Sequence, residues 1–142
     1  MAETLFDLTG KVALVSGAAS GLGRSMALAL AKYGADLVLA DRNAQGIADT
    51  AAQIGKLGRR ALPVTCDVSE PESIRTLFVQ LDQTFGRIDF LGNVAGDAVL
   101  GKPEEIAMEA VKQVLQNLVV GQFCMCQEAG RRMLSAGRRR PS

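Results

Sequence analysis

Histidine and tryptophan are absent from this 142-residue chain, and tyrosine occurs once, as Tyr33. The lack of histidine excludes His-based triads and most zinc sites. Cysteine is scarce: Cys66, Cys124 and Cys126 are an odd set in a chain without a signal segment, which argues for reduced thiols over a disulfide framework. Cys124 and Cys126 form a C-x-C pair, which could suggest a metal site. On a helix, positions two apart point about 200° from one another, so the bland reading as small buried apolar residues is preferred and no metal is expected. No apolar run approaches the roughly 18 residues needed to span a bilayer. Met1-Ala2-Glu3-Thr4 has neither a basic region nor a signal core, which reads as cytoplasmic. Net charge is only +1, so the balance gives no reason to expect a nucleic-acid or membrane partner. What is present is 48% apolar and 22% charged residues, enough for a real core in one domain.

The chain punctuates itself in units of about 25 residues, the spacing of βα pairs. Short apolar runs at Lys11 to Val15, Asp36 to Ala40, Arg60 to Cys66 and Ile88 to Gly92 lie between turn residues. Such continuous runs suit strands buried on both faces of a parallel sheet. Between them run helical stripes: Leu22, Met26, Leu30 and Tyr33; Ile47, Ala51, Ile54 and Leu57; Ile74, Leu77, Phe78, Leu81 and Phe85. Gly34, Gly58 and Gly86 follow the stripes as left-handed stops. Ser69 and Glu72 have the spacing of a capping box. Lys102-Pro103-Glu104-Glu105 reads as the opening of a further helix, running to about Leu134 with a break near Gly121. Right-handed crossovers then give an α/β, doubly wound parallel sheet with strand order 3-2-1-4. Ligands bind such sheets outside the carboxyl ends of the strands, so the chemistry is expected in the loops after Val15, Ala40, Cys66 and Gly92.

The first of these loops is Ser16-Gly17-Ala18-Ala19-Ser20-Gly21-Leu22-Gly23, between a strand and an amphipathic helix. Gly17 can turn the chain, Gly21 can admit a pyrophosphate, and Gly23 can let the helix approach the sheet. The helix N-terminus adds unpaired N–H groups and partial positive charge. The spacing is G-x-x-x-G-x-G, and here the chain resembles the short-chain dehydrogenase/reductase family, whose usual form begins with Thr where this chain has Ser16. The resemblance extends from about Leu8 to Leu134. It implies the N-terminal, cofactor-binding half of a Rossmann fold, here residues 1–137; residues 138–142 lie beyond the resemblance and read from their own composition as a basic, disordered tail.

Several further positions match. Asp41 stands 18 residues after Gly23, where the resemblance implies a carboxylate accepting both adenosine ribose hydroxyls. It would repel a 2′-phosphate by about 4 kcal/mol per charge pair at about 4 Å and an effective dielectric near 20. Arg42 could instead hold such a phosphate. Ser20 occupies the position before Gly21 where relatives that prefer NADP often carry a basic residue, so NAD is expected over NADP. An alternative for Asp41 is a helix cap shared with Asn43. In Cys66-Asp67-Val68, Asp67 matches the family's contact to adenine, and the alternative is an acidic lead-in to the next helix. Asn93-Val94-Ala95-Gly96 matches N-N-A-G with Val94 as the departure; Ala95 and Gly96 leave room for the nicotinamide ribose, and Asn93 can bridge strands through its amide. Asn117, Leu118, Gly121 and Phe123 match N-L-x-G-x-F with one residue added to the spacing, and the resemblance makes Asn117 the holder of a water in a proton relay.

The family's remaining catalytic groups are a Ser after the fifth strand and a Tyr-x-x-x-Lys on the next helix. Neither is found: Tyr33 lies in the first helical stripe, and the residue four beyond it is Leu37. Where another strand is expected, the chain reads Arg138-Arg139-Arg140-Pro141-Ser142. The reading is a truncated or frame-shifted product with an otherwise solvated tail, the weaker alternatives being a phosphate- or nucleic-acid-binding arm and a phosphorylation site at Ser142. The expectation is thus an NAD(P)-dependent oxidoreductase present as a cofactor-binding fragment. It would move hydride between nicotinamide and a small alcohol or carbonyl compound in the intact relative. The alternative is a non-catalytic nucleotide-binding module. The fourth strand left as an edge, and a long helix short of neighbours, predict a homo-oligomer or a self-associating chain.

Overall fold

In the computed structural model, which describes residues 4–138, four strands form one parallel sheet. They are β1 (Val12–Ser16), β2 (Asp36–Asp41), β3 (Ala61–Thr65) and β4 (Phe90–Asn93), in the order β3-β2-β1-β4. The helices are α1 (Gly21–Lys32), α2 (Ala44–Lys56), α3 (Pro71–Thr84), α4 (Met108–Leu115) and α5 (Gln122–Arg138), with a π-helical segment, Gln116–Gly121, between the last two. Among the described residues no helix is long and apolar enough to cross a membrane. Arg138 is the last residue of α5, and the rest of the expected tail, residues 139–142, lies outside the described residues.

Alternation along the strands divides the core into two layers. Ala13 and Val15 of β1 and Leu37 and Leu39 of β2 pack with Ala27 and Ala31 of α1 and Ile47 and Ile54 of α2. Val12, Leu14, Val38 and Ala40 face the other way, onto Ile74, Leu77, Phe78 and Leu81 of α3 and Met125 and Ala129 of α5. β1 and β2 are the doubly covered strands. The outer strands depart from burial on both faces: Pro63 and Thr65 of β3 and Phe90 of β4 are exposed, because an edge strand has neighbours on one side only.

Several local expectations need correction. The α1 stripe holds only in its middle: Met26 and Leu30 pack against the core, but Leu22 is 81% exposed and Tyr33 46%, while Gly23, Ala27 and Ala31 are the buried residues. This helix lies so near the glycine loop that small residues must face inward. A Cβ placed on Gly23 would stand 2.0 Å from the Gly17 carbonyl oxygen. Leu57 at the end of α2 is exposed as well. The Ser69–Glu72 capping box does not form. Ser69 Oγ donates to Asp67 Oδ1 (2.7 Å), and α3 starts at Pro71, whose missing N–H costs nothing at that position. Residues 102–105 form a turn closed by Glu105 N–H on the Lys102 carbonyl (2.9 Å), and the helix starts at Met108. Gly34, Gly58 and Gly86 have positive φ, as stops should.

The break expected near Gly121 is the π-helical segment. Its i→i+5 turn is one residue wider than that of an α-helix. Asn117 and Gly121 both stay buried. The backbone at Gly121 lies so close to the loop after β3 that an added Cβ would meet the Val68 carbonyl oxygen at 1.8 Å.

Candidate active site

The carboxyl ends of all four strands open into one cleft of about 390 Å³. Thirteen of the fifteen residues singled out from the sequence line it: Gly17, Ser20, Gly21, Leu22, Gly23, Asp41, Arg42, Cys66, Asp67, Val68, Ala95, Gly96 and Asn117. They come from positions up to 100 residues apart in sequence, twelve of them at the strand ends that the parallel sheet sets side by side and Asn117 on the π-helical segment.

The glycine loop is held by backbone geometry. Gly21 has φ of 53° and nothing within 4 Å of where a Cβ would stand, so a side chain there would fill the cleft itself. Ser20 is the N-cap of α1 and its side chain makes no capping bond, which leaves the first N–H groups of the helix without an intrahelical partner. A helix start of this kind is a ready anion site. Behind the loop, Thr50 donates to the Ala18 carbonyl (2.9 Å), and Arg24 Nε donates to Thr50 Oγ1 (3.0 Å), tying α1, α2 and the loop together.

Ser16 and Asn93 stand behind the cleft instead of lining it. Ser16 is fully buried, and its Oγ accepts the N–H groups of Val94 and Ala95, each at 3.0 Å. The Ser16 hydroxyl donates to Asn93 Oδ1 (3.4 Å), and Asn93 Nδ2 donates to the Gln122 carbonyl (3.1 Å). Through these bonds the hydroxyl joins the glycine loop to the loop after β4. Asn93, expected to bridge strands, bonds the end of β1 through its Oδ1 and the start of α5 through its Nδ2.

At the end of β2 the Asp41 carboxylate accepts the N–H of Ala19 (3.1 Å) and of Asn43 (3.0 Å). Asn43, not Asp41, caps α2, its side chain accepting from Gly46 N–H (3.0 Å). Asp41 is therefore free of the capping role and faces the cleft with part of each oxygen's accepting capacity left. Arg42 is ion-paired with Asp97 from the loop after β4.

Asp67 lies in the loop after β3. Burial by itself would raise its carboxyl; the hydroxyl and N–H of Ser69 and the charge of Arg42 outweigh this and hold it below the usual carboxylate value. Burial pushes the neighbouring Cys66 thiol up, with the Ser73 hydroxyl pulling the other way. Cys124 is buried too, but Cys126 is exposed, its Sγ 3.8 Å from Asn93 Nδ2, so the buried reading fails for that one cysteine. Two residues apart on α5, the pair faces opposite surroundings.

Asn117 is 5% exposed at the inner wall. Its Oδ1 accepts Asp97 N–H (3.3 Å) and its Nδ2 donates to the Gln113 carbonyl (3.1 Å). One acceptor site and one N–H of the amide remain for a ligand or water. The cleft also takes in Ser69 and Val94, read from the sequence only as a cap and a motif departure, and Asp97 and Gln113, which sequence reasoning passed over. Gln113 could have been found as the residue one turn before Asn117; Asp97 carried no local signal.

A glycine-lined helix start, a carboxylate ending β2 and an inward Asn on the helical segment after α4 occupy one cleft, and the sequence profile described as short chain dehydrogenase matches residues 11–140. The chain belongs to this short-chain dehydrogenase family. It is 42% identical over 132 residues to D-threitol dehydrogenase of Mycolicibacterium smegmatis, covering 93% of this chain and 51% of the relative. It is 36% identical over 132 residues to NAD-dependent glycerol dehydrogenase of Listeria innocua, with the same shares covered. Among solved structures, a short-chain type dehydrogenase/reductase from Mycobacterium marinum superposes with a TM-score of 0.90 at 34% identity, over 94% of this chain and 54% of that one. L-sorbose reductase of Gluconobacter frateurii, solved with NADPH and L-sorbose, gives 0.88 at 30% identity, over 93% and 51%. The chain thus spans about half the length of the curated relatives it matches.

Proposed function

We propose that the cleft binds a nicotinamide dinucleotide, NAD in preference to NADP, as the cofactor site of an oxidoreductase acting on a small alcohol or carbonyl compound. The observation that carries this reading is Asp41, a carboxylate at the end of β2 that caps no helix and faces the cleft. The N–H groups at the start of α1 would take the pyrophosphate, and Gly21 leaves the space for it. Asp41 would accept ribose hydroxyls, Asp67 and Val68 would flank the adenine, and Ala95 and Gly96 would leave room for the second ribose. When bound, the nicotinamide supplies or accepts the hydride. Asn117, with one donor and one acceptor capacity left, would hold a water beside it.

Hydride transfer to a carbonyl at neutral pH also needs a proton donor. Among the described residues, the ionisable side chains lining the cleft are Asp41, Arg42, Cys66, Asp67 and Asp97. Asp67 is held ionised and the Cys66 thiol is buried. Tyr33 closes the far end of α1, about 18 Å along the helix from the glycine loop. This favours the second reading for the chain by itself, a nucleotide-binding module without turnover.

Titration calorimetry tests both points. The unaltered chain is expected to bind NADH more tightly than NADPH, and Asp41→Ala to reduce that preference at least tenfold. Tighter NADPH binding by the unaltered chain refutes the assignment. A panel of ketones and secondary alcohols with either cofactor is expected to show no turnover above background, and sustained turnover would return the chain to the enzyme reading.

A further inference from the structure

The cleft holds an uneven set of charges. Among its described lining residues there are three carboxylates, Asp41, Asp67 and Asp97, and one cation, Arg42. That cation is already engaged, its guanidinium hydrogen-bonded to Asp97 Oδ2. The two partners come from different strand ends. Arg42 follows β2 and Asp97 lies in the loop after β4, and these strands flank β1. The pair therefore reaches across the mouth of the cleft, over the strand that carries the glycine loop. The backbone at Asp97 is fixed from below, where its N–H donates to Asn117 Oδ1.

We infer that Asp97 is a determinant of cofactor preference, acting by holding Arg42 away from a 2′-phosphate. This rests on the dinucleotide reading above. Arg42 directly follows Asp41, the residue placed at the ribose, and is the one cation among the described lining residues, able to compensate a 2′-phosphate. While Asp97 holds it, a phosphorylated ribose meets Asp41 without an available counter-charge. A dinucleotide lacking that phosphate needs no such counter-charge. Both side chains are more than half exposed, so the pair is of the weak, screened kind, and the preference it adds is correspondingly modest.

The test is the ratio of the NADPH and NADH dissociation constants, measured by titration calorimetry at low salt on the full chain. Asp97→Asn removes the charge and is expected to lower the ratio three- to fivefold by freeing Arg42. Asp97→Glu retains the pair and is expected to keep the ratio. In an Arg42→Ala background, Asp97→Asn is expected to move the ratio less than twofold. An unchanged ratio in Asp97→Asn, with NADH still bound, overturns the inference. An equal fall with and without Arg42 also overturns it, since Asp97 would then act through its own charge alone. Failure of the unaltered chain to bind either dinucleotide instead overturns the underlying reading of the cleft, and the inference with it.

Discussion

Replacing Gly23 by alanine tests the geometry on which the cleft depends. The new Cβ would stand 2.0 Å from the Gly17 oxygen, 2.5 Å from the Gly17 carbon and 3.1 Å from the Ala18 nitrogen. Carbon-to-backbone contacts below about 3 Å are not sustained, so α1 and the loop must separate by about 1 Å. The loop has little room to retreat, because Gly17 itself lies against the backbone of Ala95. Overpacking of this kind costs about 1–3 kcal/mol, against which alanine in a helix gains about 1 kcal/mol over glycine. The expected net loss is up to about 2 kcal/mol, read as a lower urea midpoint. Shifting the helix start also displaces the N–H groups that would hold a pyrophosphate, so NADH affinity should fall at least tenfold. Gly130→Ala is the control: it lies within α5 with nothing within 4 Å of its Cβ position and should stabilise by about 0.5–1 kcal/mol. A Gly23→Ala protein as stable as its parent, with NADH binding intact, would refute the argument that this glycine sets the approach of helix to loop.

Asp89 provides a pH prediction. Burial alone would raise its carboxyl, but hydrogen bonds from Arg87 and Val12 N–H and the charges of Arg87 and Lys11 hold it below its ordinary 3.8. A carboxyl lowered on folding contributes stability that is complete above the unfolded value and is lost as pH falls through the folded one. Urea midpoints should therefore drop as pH is taken from about 4 downward, and Asp89→Asn should flatten that limb while costing about 1–2 kcal/mol at pH 7; parallel acid limbs in parent and variant would contradict it. The β4 edge predicts self-association: Phe90 is 43% exposed there, and Leu115, Val119 and Phe123 are exposed on the helical arm beyond it. Light scattering should show mass rising with concentration, reduced by Phe90→Lys, whereas a monomer throughout the high micromolar range would count against it.

The sheet and most of its furniture were legible in the residues alone. Short apolar runs bounded by turn residues point to strands of a parallel sheet, and the left-handed stops at Gly34, Gly58 and Gly86 mark where each helix hands over to the next strand. The α3 stripe was readable because its large apolar residues repeat with the helical period over four turns. The glycine loop, Asp41, Asp67 and Asn117 were likewise placed by motif, since each motif sits where a strand or helix end must deliver it to the cleft. Tertiary structure alone decided the rest. Periodicity ranks faces by hydrophobicity, so it favoured Leu22 and Tyr33, whereas the short distance between α1 and the loop selects the smallest side chains and buries Gly23, Ala27 and Ala31. Ser16 became a brace behind the cleft because its hydroxyl faces two N–H groups nearly eighty residues away, a pairing with no local trace. The Arg42–Asp97 contact arises in the same way: β2 and β4 are distant in the chain and flank one strand in the sheet, and only the strand order brings their loops across one opening.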